Sequence, residues 1–172
     1  MKHKAMSLVV LLLLTVGFYP SYAQEDGRMY KLHALFIYNF TKHIKWDTSE
    51  NSSFTVGVYA NQTALTAIKA NLENKSVWGK KIKVIAIKSA SEAGNCHIAY
   101  VPSLNNNKDA KFISQCKLNN TLLVSGDDMI DEGAAISFVT VDSKLKFKID
   151  KIKVEKAGLK VSNSLLAVGI SV

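Results

Sequence analysis

The chain has 172 residues, 48% of them hydrophobic, with 22 Lys+Arg against 14 Asp+Glu, which suits one folded domain and is short for two independent cores. Charged residues at 21% and a mean hydropathy near zero exclude a disordered tail and a polytopic membrane protein. Nine Gly, two Pro and two Cys exclude collagen-like repeats, low-complexity linkers and dense disulfide miniproteins.

The N-terminus reads as an address. Lys2 and Lys4 precede an apolar run over residues 5–18, broken only by Ser7, Thr15 and Gly17, and Ser21-Tyr22-Ala23 then offers small residues where a signal peptidase reads. This is the grammar of a secretory signal peptide over residues 1–23. The run is short for a membrane span, and no second apolar segment follows it. The expectation is an exported chain that starts at Gln24, with residues 24–172 forming a single domain. Loss of the leader leaves 20 Lys+Arg against 14 Asp+Glu, a charge of +6.

Residues 29–46 place apolar side chains at Met29, Leu32, Leu35, Phe36, Phe40 and Ile44, a helical period. Ala34, Ile37 and Tyr38 widen the stripe until little but Lys31, Lys42 and Lys45 is polar. A helix so apolar is expected to be buried on several sides, either in its own domain or against another subunit, so monomer and homodimer both stay open. His33 and His43 do not face each other on it and read as hydrogen-bonded histidines, not as a metal pair.

After a polar turn over 47–53, Phe54-Thr55-Val56-Gly57-Val58-Tyr59 reads as the first strand. Leu65, Ile68 and Leu72 mark one face of a helix over 62–73, residues 82–87 are strand-like, and 97–101 form a short buried strand stopped by Pro102. A weaker helix over 108–117 passes through Phe112 and Ile113, and 121–125 is the next strand. Strands alternating with helices predict parallel crossover units. The pattern then changes. Residues 134–141 are almost continuously apolar, Asp142-Ser143 makes a turn, and Leu145, Phe147 and Ile149 alternate with Lys144, Lys146 and Lys148. That is an antiparallel hairpin whose second strand has one wet, cationic face, placed at a sheet edge. Two short helices over 152–157 and 164–168 flank Gly158. The fold expected is α/β: a layered, three-layer-type sandwich with a mostly parallel sheet and an antiparallel C-terminal hairpin at its edge.

Most of the net positive excess sits in residues 144–160, where Lys144, Lys146, Lys148, Lys151, Lys153, Lys156 and Lys160 meet only Asp150 and Glu155, a local +5. Such a run steers an acidic partner or a membrane surface, although a solvated face is its commoner meaning. Lys144, Lys146, Lys148 and Lys160 are the partner-binding candidates. Arg28 is the only arginine, which argues against bidentate phosphate recognition. An exported chain also rarely meets nucleic acid, so no nucleic-acid partner is assigned.

No catalytic constellation stands out: there is no Gly-rich phosphate loop, G-x-S-x-G elbow, H-E-x-x-H or C-x-x-C. No catalytic residue, metal ligand or cofactor is assigned. Asp127, Asp128, Asp131 and Glu132 lack the alternate spacing of a calcium loop and read as turn-capping residues. Ser125 has no evident base, and His97 reads as ordering a strand end. An unidentified small ligand, if one binds, belongs in the crevice at the carboxyl ends of the parallel strands, lined by Pro102, Ser103, Gly126 and Asp127. Cys96 precedes one strand and Cys116 closes the helix that runs back, so both belong at the same end of the sheet. In an oxidising envelope this pair suggests a Cys96–Cys116 disulfide contributing roughly 3 kcal/mol on the chain-entropy model. Two separate buried thiols are the alternative.

A set of short segments resembles one known family. Leu35-Phe36-Ile37-Tyr38-Asn39-Phe40-Thr41-Lys42, with Ile44 and Trp46, is similar to its opening helix. Phe54-Thr55-Val56-Gly57-Val58, Cys96-His97-Ile98-Ala99-Tyr100, Leu122-Leu123-Val124-Ser125, Ile136-Ser137-Phe138-Val139, Leu145-Lys146-Phe147-Lys148-Ile149-Asp150 and Ala157-Gly158-Leu159-Lys160-Val161-Ser162 follow in order. The ordered set resembles the YfiR-like family of small exported bacterial proteins. The resemblance implies a periplasmic regulator and not an enzyme. The family's best-known members bind the periplasmic sensor region of an inner-membrane diguanylate cyclase and hold it inactive. They thereby act on cyclic-di-GMP signalling, with dimerisation and cysteine redox state affecting release. The chain departs from the pattern at Asp47, where proline is usual, at Gly126, where an aspartate is usual, and at Lys148, where the residue is commonly acidic. The last change reverses charge on the candidate contact strand, so the partner's identity does not carry over. A sensor kinase is the alternative receptor, and small-ligand binding the alternative class of function.

Overall fold

The computed structural model describes residues 22–46, 53–102, 106–116 and 120–172. Residues 1–21 of the leader expected over 1–23, residues 47–52 of the turn expected over 47–53, and Ser103 lie outside the described residues. Helix α1 (Tyr22–His43) leads into a short strand, β1 (Ile44–Lys45). There follow β2 (Ser53–Tyr59), α2 (Gln62–Leu72), β3 (Ser76–Val77), β4 (Lys80–Ile87), α3 (Ala90–Ala93), β5 (Ile98–Val101), α4 (Asn106–Gln115) and β6 (Leu122–Ser125). The chain continues through β7 (Ile136–Val141), β8 (Lys144–Ile149), α5 (Lys151–Lys156), β9 (Lys160–Val161), α6 (Asn163–Val168) and β10 (Ile170–Ser171).

Eight strands form one sheet in the order β10-β8-β7-β6-β5-β2-β4-β3, and β1 pairs with β9 in a separate two-stranded sheet. Strand β2 runs parallel to both β4 and β5, and the parallel run continues through β6 to β7. The first long strand is therefore flanked by the second and the third, and the winding direction reverses between β2 and β5. This is the order of a doubly wound sheet with a switch point at the carboxyl ends of β2 and β5. Strand β8 closes the hairpin on β7 in antiparallel register, from Ile136↔Ile149 to Val141↔Lys144. The turn between them puts Asp142 and Ser143 at φ 51° and 58°, a pair of positive angles whose twist matches that of the strands. The hairpin lies at the C-terminal edge as expected, with β10 added outside it at Ile170↔Lys148 and Ser171↔Ile149.

Alternation along the strands divides the interior into two cores. Phe54, Val56 and Val58 of β2, Tyr100 of β5, Phe138 of β7 and Phe147 of β8 join Ala34, Ile37 and Phe40 of α1 and Ile68 and Leu72 of α2. On the opposite face, Ile87, Ala99, Val101 and Leu123 meet Ala93 of α3 and Phe112 and Ile113 of α4. The second core receives apolar side chains from β2, β4, β5 and β6 but, among the described residues, none from β7 or β8; β7 sends only Ser137, whose buried Oγ accepts from Met129 N at 3.0 Å. The sandwich thus has three layers over most of the parallel strands and two over the hairpin. Side-chain caps start the helices: Asn61 Oδ1 accepts from Ala64 N at 2.9 Å, Asp150 Oδ1 from Lys153 N at 3.0 Å and Ser162 Oγ from Leu165 N at 3.3 Å.

Three features differ from the sequence reading. Helix α1 ends at His43, not at residue 46, because Ile44 and Lys45 pair with Val161 and Lys160 while the Trp46 indole donates to the His97 carbonyl at 2.9 Å. Within the chain the helix is buried on one side only, since Met29, Leu32 and Leu35 remain 40%, 44% and 45% exposed. Of the two expected modes of burial, its own domain supplies one side and the rest of the stripe is left for another subunit. Finally, β1, β3, β9 and β10 have two residues each, too few for an alternating pattern to register.

Candidate functional site

The lysines of residues 144–160 do not make one surface. Lys144, Lys146 and Lys148 project from β8 on the face that lacks a helix layer, opposite the inward Phe147 and Ile149. Lys160 stands in the other sheet, paired with Lys45, so it belongs to a different part of the molecule. Several of these charges are already answered. Lys148 Nζ donates to Asp128 Oδ2 at 2.6 Å, and this hydrogen bond raises the lysine pKa. Lys153 lies 3.1 Å from Asp150 and also donates to the Ile130 carbonyl, and Lys151 reaches Glu155 at 3.6 Å. Lys144, Lys146, Lys156 and Lys160 have no ion pair among the described residues. Beside the β8 lysines runs an open groove of about 580 Å³ lined by Asp127, Asp128, Val139, Val141, Lys148 and Ile170. Asp127, expected to line a ligand crevice, therefore meets the lysine strand.

At the carboxyl ends of the parallel strands the structure opens a different cavity, of about 280 Å³. Its walls are Tyr59 at the end of β2, Lys88-Ser89-Ala90 after β4, and Lys108, Lys111, Phe112 and Gln115 of α4. Tyr59 stacks on Phe112 with ring centroids 3.9 Å apart. Pro102 and Gly126 do not line it; the Gly126 amide instead donates to the Val101 carbonyl at 2.8 Å and extends the ladder past β5. The sequence signal for this cavity was weak: a lysine directly after a strand and two more on the exposed side of a short helix.

Behind the same strand ends, under α1, lies a buried polar chain. His33 Nδ1 and the Tyr100 hydroxyl are 2.5 Å apart, and Asn61 Nδ2 donates to the Tyr30 hydroxyl at 2.9 Å. Burial holds the Tyr100 hydroxyl protonated far above its ordinary range, reinforced by Tyr30 and Asp127. His43, at the other end of α1, faces Ser162 and Ser164 at 3.4 and 3.2 Å. His97 Nδ1 accepts from Thr55 N at 2.9 Å while its ring stacks on Phe54, so it ties β5 to β2 as a strand-end residue should. Ser125, buried, accepts from the Asp127 amide at 3.3 Å.

Cys96 is buried in the second core and Cys116 half-buried against it, and the expected Cys96–Cys116 bridge is not formed in this structure. Burial pushes each up to about 11, aided at Cys96 by the Glu92 carboxylate. The Cys96 thiol donates to the Glu92 carbonyl at 3.6 Å, whereas Cys116 borders a cavity of about 290 Å³ with Thr121, Leu123, Lys153 and Lys156.

The ordered segments along this framework coincide with those of one family, whose description, YfiR/HmsC-like, matches residues 30–169. The chain belongs to the YfiR/HmsC-like family. This family comprises periplasmic regulators and is regulatory, not catalytic, in character. The solved structure of a conserved domain protein from Vibrio cholerae O1 biovar El Tor str. N16961 has a similar fold, with a TM-score of 0.53 at 14% identity. The likeness covers 83% of this YfiR/HmsC-like chain and 59% of the Vibrio chain, so the present chain spans little more than half of that neighbour's length. No curated protein matches the sequence. Among the described residues no helix is long and apolar enough to cross a membrane.

Proposed function

We propose that this chain is an exported regulator that binds and restrains the extracytoplasmic domain of an inner-membrane signalling protein such as a diguanylate cyclase. The observation that carries the reading is the family match over residues 30–169. In this reading residues 1–23 direct export and are removed, and residues 24–172 act in the periplasm as one domain. Regulation is a population shift: the bound chain favours the receptor's inactive state, and whatever weakens binding releases it.

The uncovered face of β8 is the contact surface of choice, because Lys144 and Lys146 combine exposure with charge that no carboxylate among the described residues answers. Lys148, tied to Asp128, and Lys160, in the second sheet, contribute less to it. The exposed Met29, Leu32 and Leu35 of α1 are where a second copy would sit, in keeping with dimerisation in the family. A Cys96–Cys116 bridge would tie β5 to the end of α4.

A photo-crosslinking residue at position 146 in intact cells, combined with cyclic-di-GMP measurement after gene deletion, tests this function. Capture of a diguanylate cyclase and a rise in cyclic-di-GMP on deletion is the expected result. Capture of a sensor kinase with unchanged cyclic-di-GMP replaces the named receptor while keeping the regulatory role. Capture of no membrane receptor, under conditions that recover a known envelope complex, overturns the proposal.

A further inference from the structure

The cavity at the switch point has a composition of its own. Its polar rim is lysine-rich: Lys88 follows β4, and Lys108 and Lys111 lie one helical turn apart on α4. Lys88 and Lys111 have no ion pair among the described residues. Glu92, the acidic residue nearest in sequence to Lys88, turns its Oε2 to the Lys88 backbone amide at 2.8 Å, while Ser89 Oγ accepts from Glu92 N at 3.3 Å. That reciprocal pair fixes the loop after β4 from which Lys88 projects.

The inner wall is apolar. Tyr59 is half-buried and backed by Phe112, which is 5% exposed and anchored in the second core. The cavity, about 280 Å³, is near the lower limit for small-molecule sites. It also lies where open α/β sheets bind ligands, outside the carboxyl ends of strands at the reversal of winding. Ammonium groups on one side and a stacked aromatic pair on the other suit a ligand with a charged end and a flat end.

We propose that this crevice binds a small organic phosphate whose anionic group is held by Lys88 and Lys111 and whose planar ring lies against the Tyr59–Phe112 pair. Lys108 completes the rim. The site stands on the sheet face opposite α1 and does not depend on which receptor the chain restrains.

Phenyl phosphate is the probe, titrated at low ionic strength into the ¹⁵N-labelled protein and followed by amide chemical shifts. Saturable shifts concentrated on Tyr59, Lys88, Ser89, Lys111 and Phe112 are expected, with inorganic phosphate weaker by about tenfold because it lacks the ring. The double variant Lys88→Gln/Lys111→Gln, with an unchanged melting temperature, should bind about tenfold or more weakly. Lys144→Gln/Lys146→Gln removes the same charge elsewhere and should bind as the parent does. Equal losses in both variants, or shifts spread over β8, would reveal unspecific charge attraction and overturn the site. Equal affinity for inorganic and phenyl phosphate, or the absence of saturable shifts, overturns it as well.

Discussion

His33 Nδ1 and the Tyr100 hydroxyl share a 2.5 Å hydrogen bond that joins α1 to β5 inside the larger core. The imidazole is stacked on Phe138 with ring centroids 4.0 Å apart, and only 3% of His33 is exposed. Around it stand Tyr30 on its own helix and Tyr100 on the sheet, with Asp127 beyond Tyr100. Burial lowers the His33 pKa from 6.5 to about 4.

Stability should therefore fall as pH drops below about 6.5. Between about 6.5 and about 4 the unfolded chain takes up a proton at His33 that the folded chain refuses, so stability declines across that window and is fully present above it. The loss is on the order of 3 kcal/mol when the window has been crossed. Denaturant midpoints from pH 4 to pH 8 measure it. His33→Gln should remove most of the slope, and an unchanged slope would assign it to other groups.

Two glycines should respond to alanine with opposite signs. A Cβ on Gly57 would lie 2.7 Å from Cys96 Sγ and 2.9 Å from Ile87 Cγ2, both in the second core. Gly57→Ala should cost about 1–3 kcal/mol by overpacking. Gly27, in the first turn of α1 once residues 1–23 are removed, has nothing within 4 Å of such a carbon, and Gly27→Ala should stabilise by up to about 0.5 kcal/mol, the lower end of the mid-helix propensity difference. Thermal unfolding of the two variants checks both signs.

Charge reversal on β8 should separate contact from support. Lys146→Glu alters an exposed side chain outside any described ion pair and should slow association with the receptor's extracytoplasmic domain by up to about tenfold, with a reduced salt dependence. Lys148→Glu would place a carboxylate against Asp128 and disturb the groove itself, so it is the poorer test. Association rates at two ionic strengths decide; an unaltered rate and salt slope for Lys146→Glu removes β8 from the interface.

The cysteines make a separate prediction. With both thiols raised to about 11, neither is a thiolate at neutral pH, and alkylation of the reduced, folded protein should be slow. Protein isolated from the envelope without reductant should weigh two hydrogens less than the reduced chain if Cys96 and Cys116 are bridged. Replacing both by serine should then cost roughly 3 kcal/mol. An unshifted intact mass and two titratable thiols would leave them as separate core residues.

The period-two and helical patterns of this sequence were enough to specify the parallel units, the hairpin and its wet lysine face, because each reports which side of one element is buried. Strand β2, expected over 54–59, the buried strand β5, expected over 97–101 and found over 98–101, and the Asp142-Ser143 turn were all legible for that reason. Local pattern carries no information about which elements meet. Only the tertiary structure showed that the winding reverses between β2 and β5, and that the third layer stops short of the hairpin. The division of the C-terminal lysines between two sheets, and the meeting of Tyr59, Lys88 and Lys111 from separate segments around one cavity, were decided at the same level. Burial on a single strand or helix is written in its own residues; the company a side chain keeps is written in the order in which strands pair.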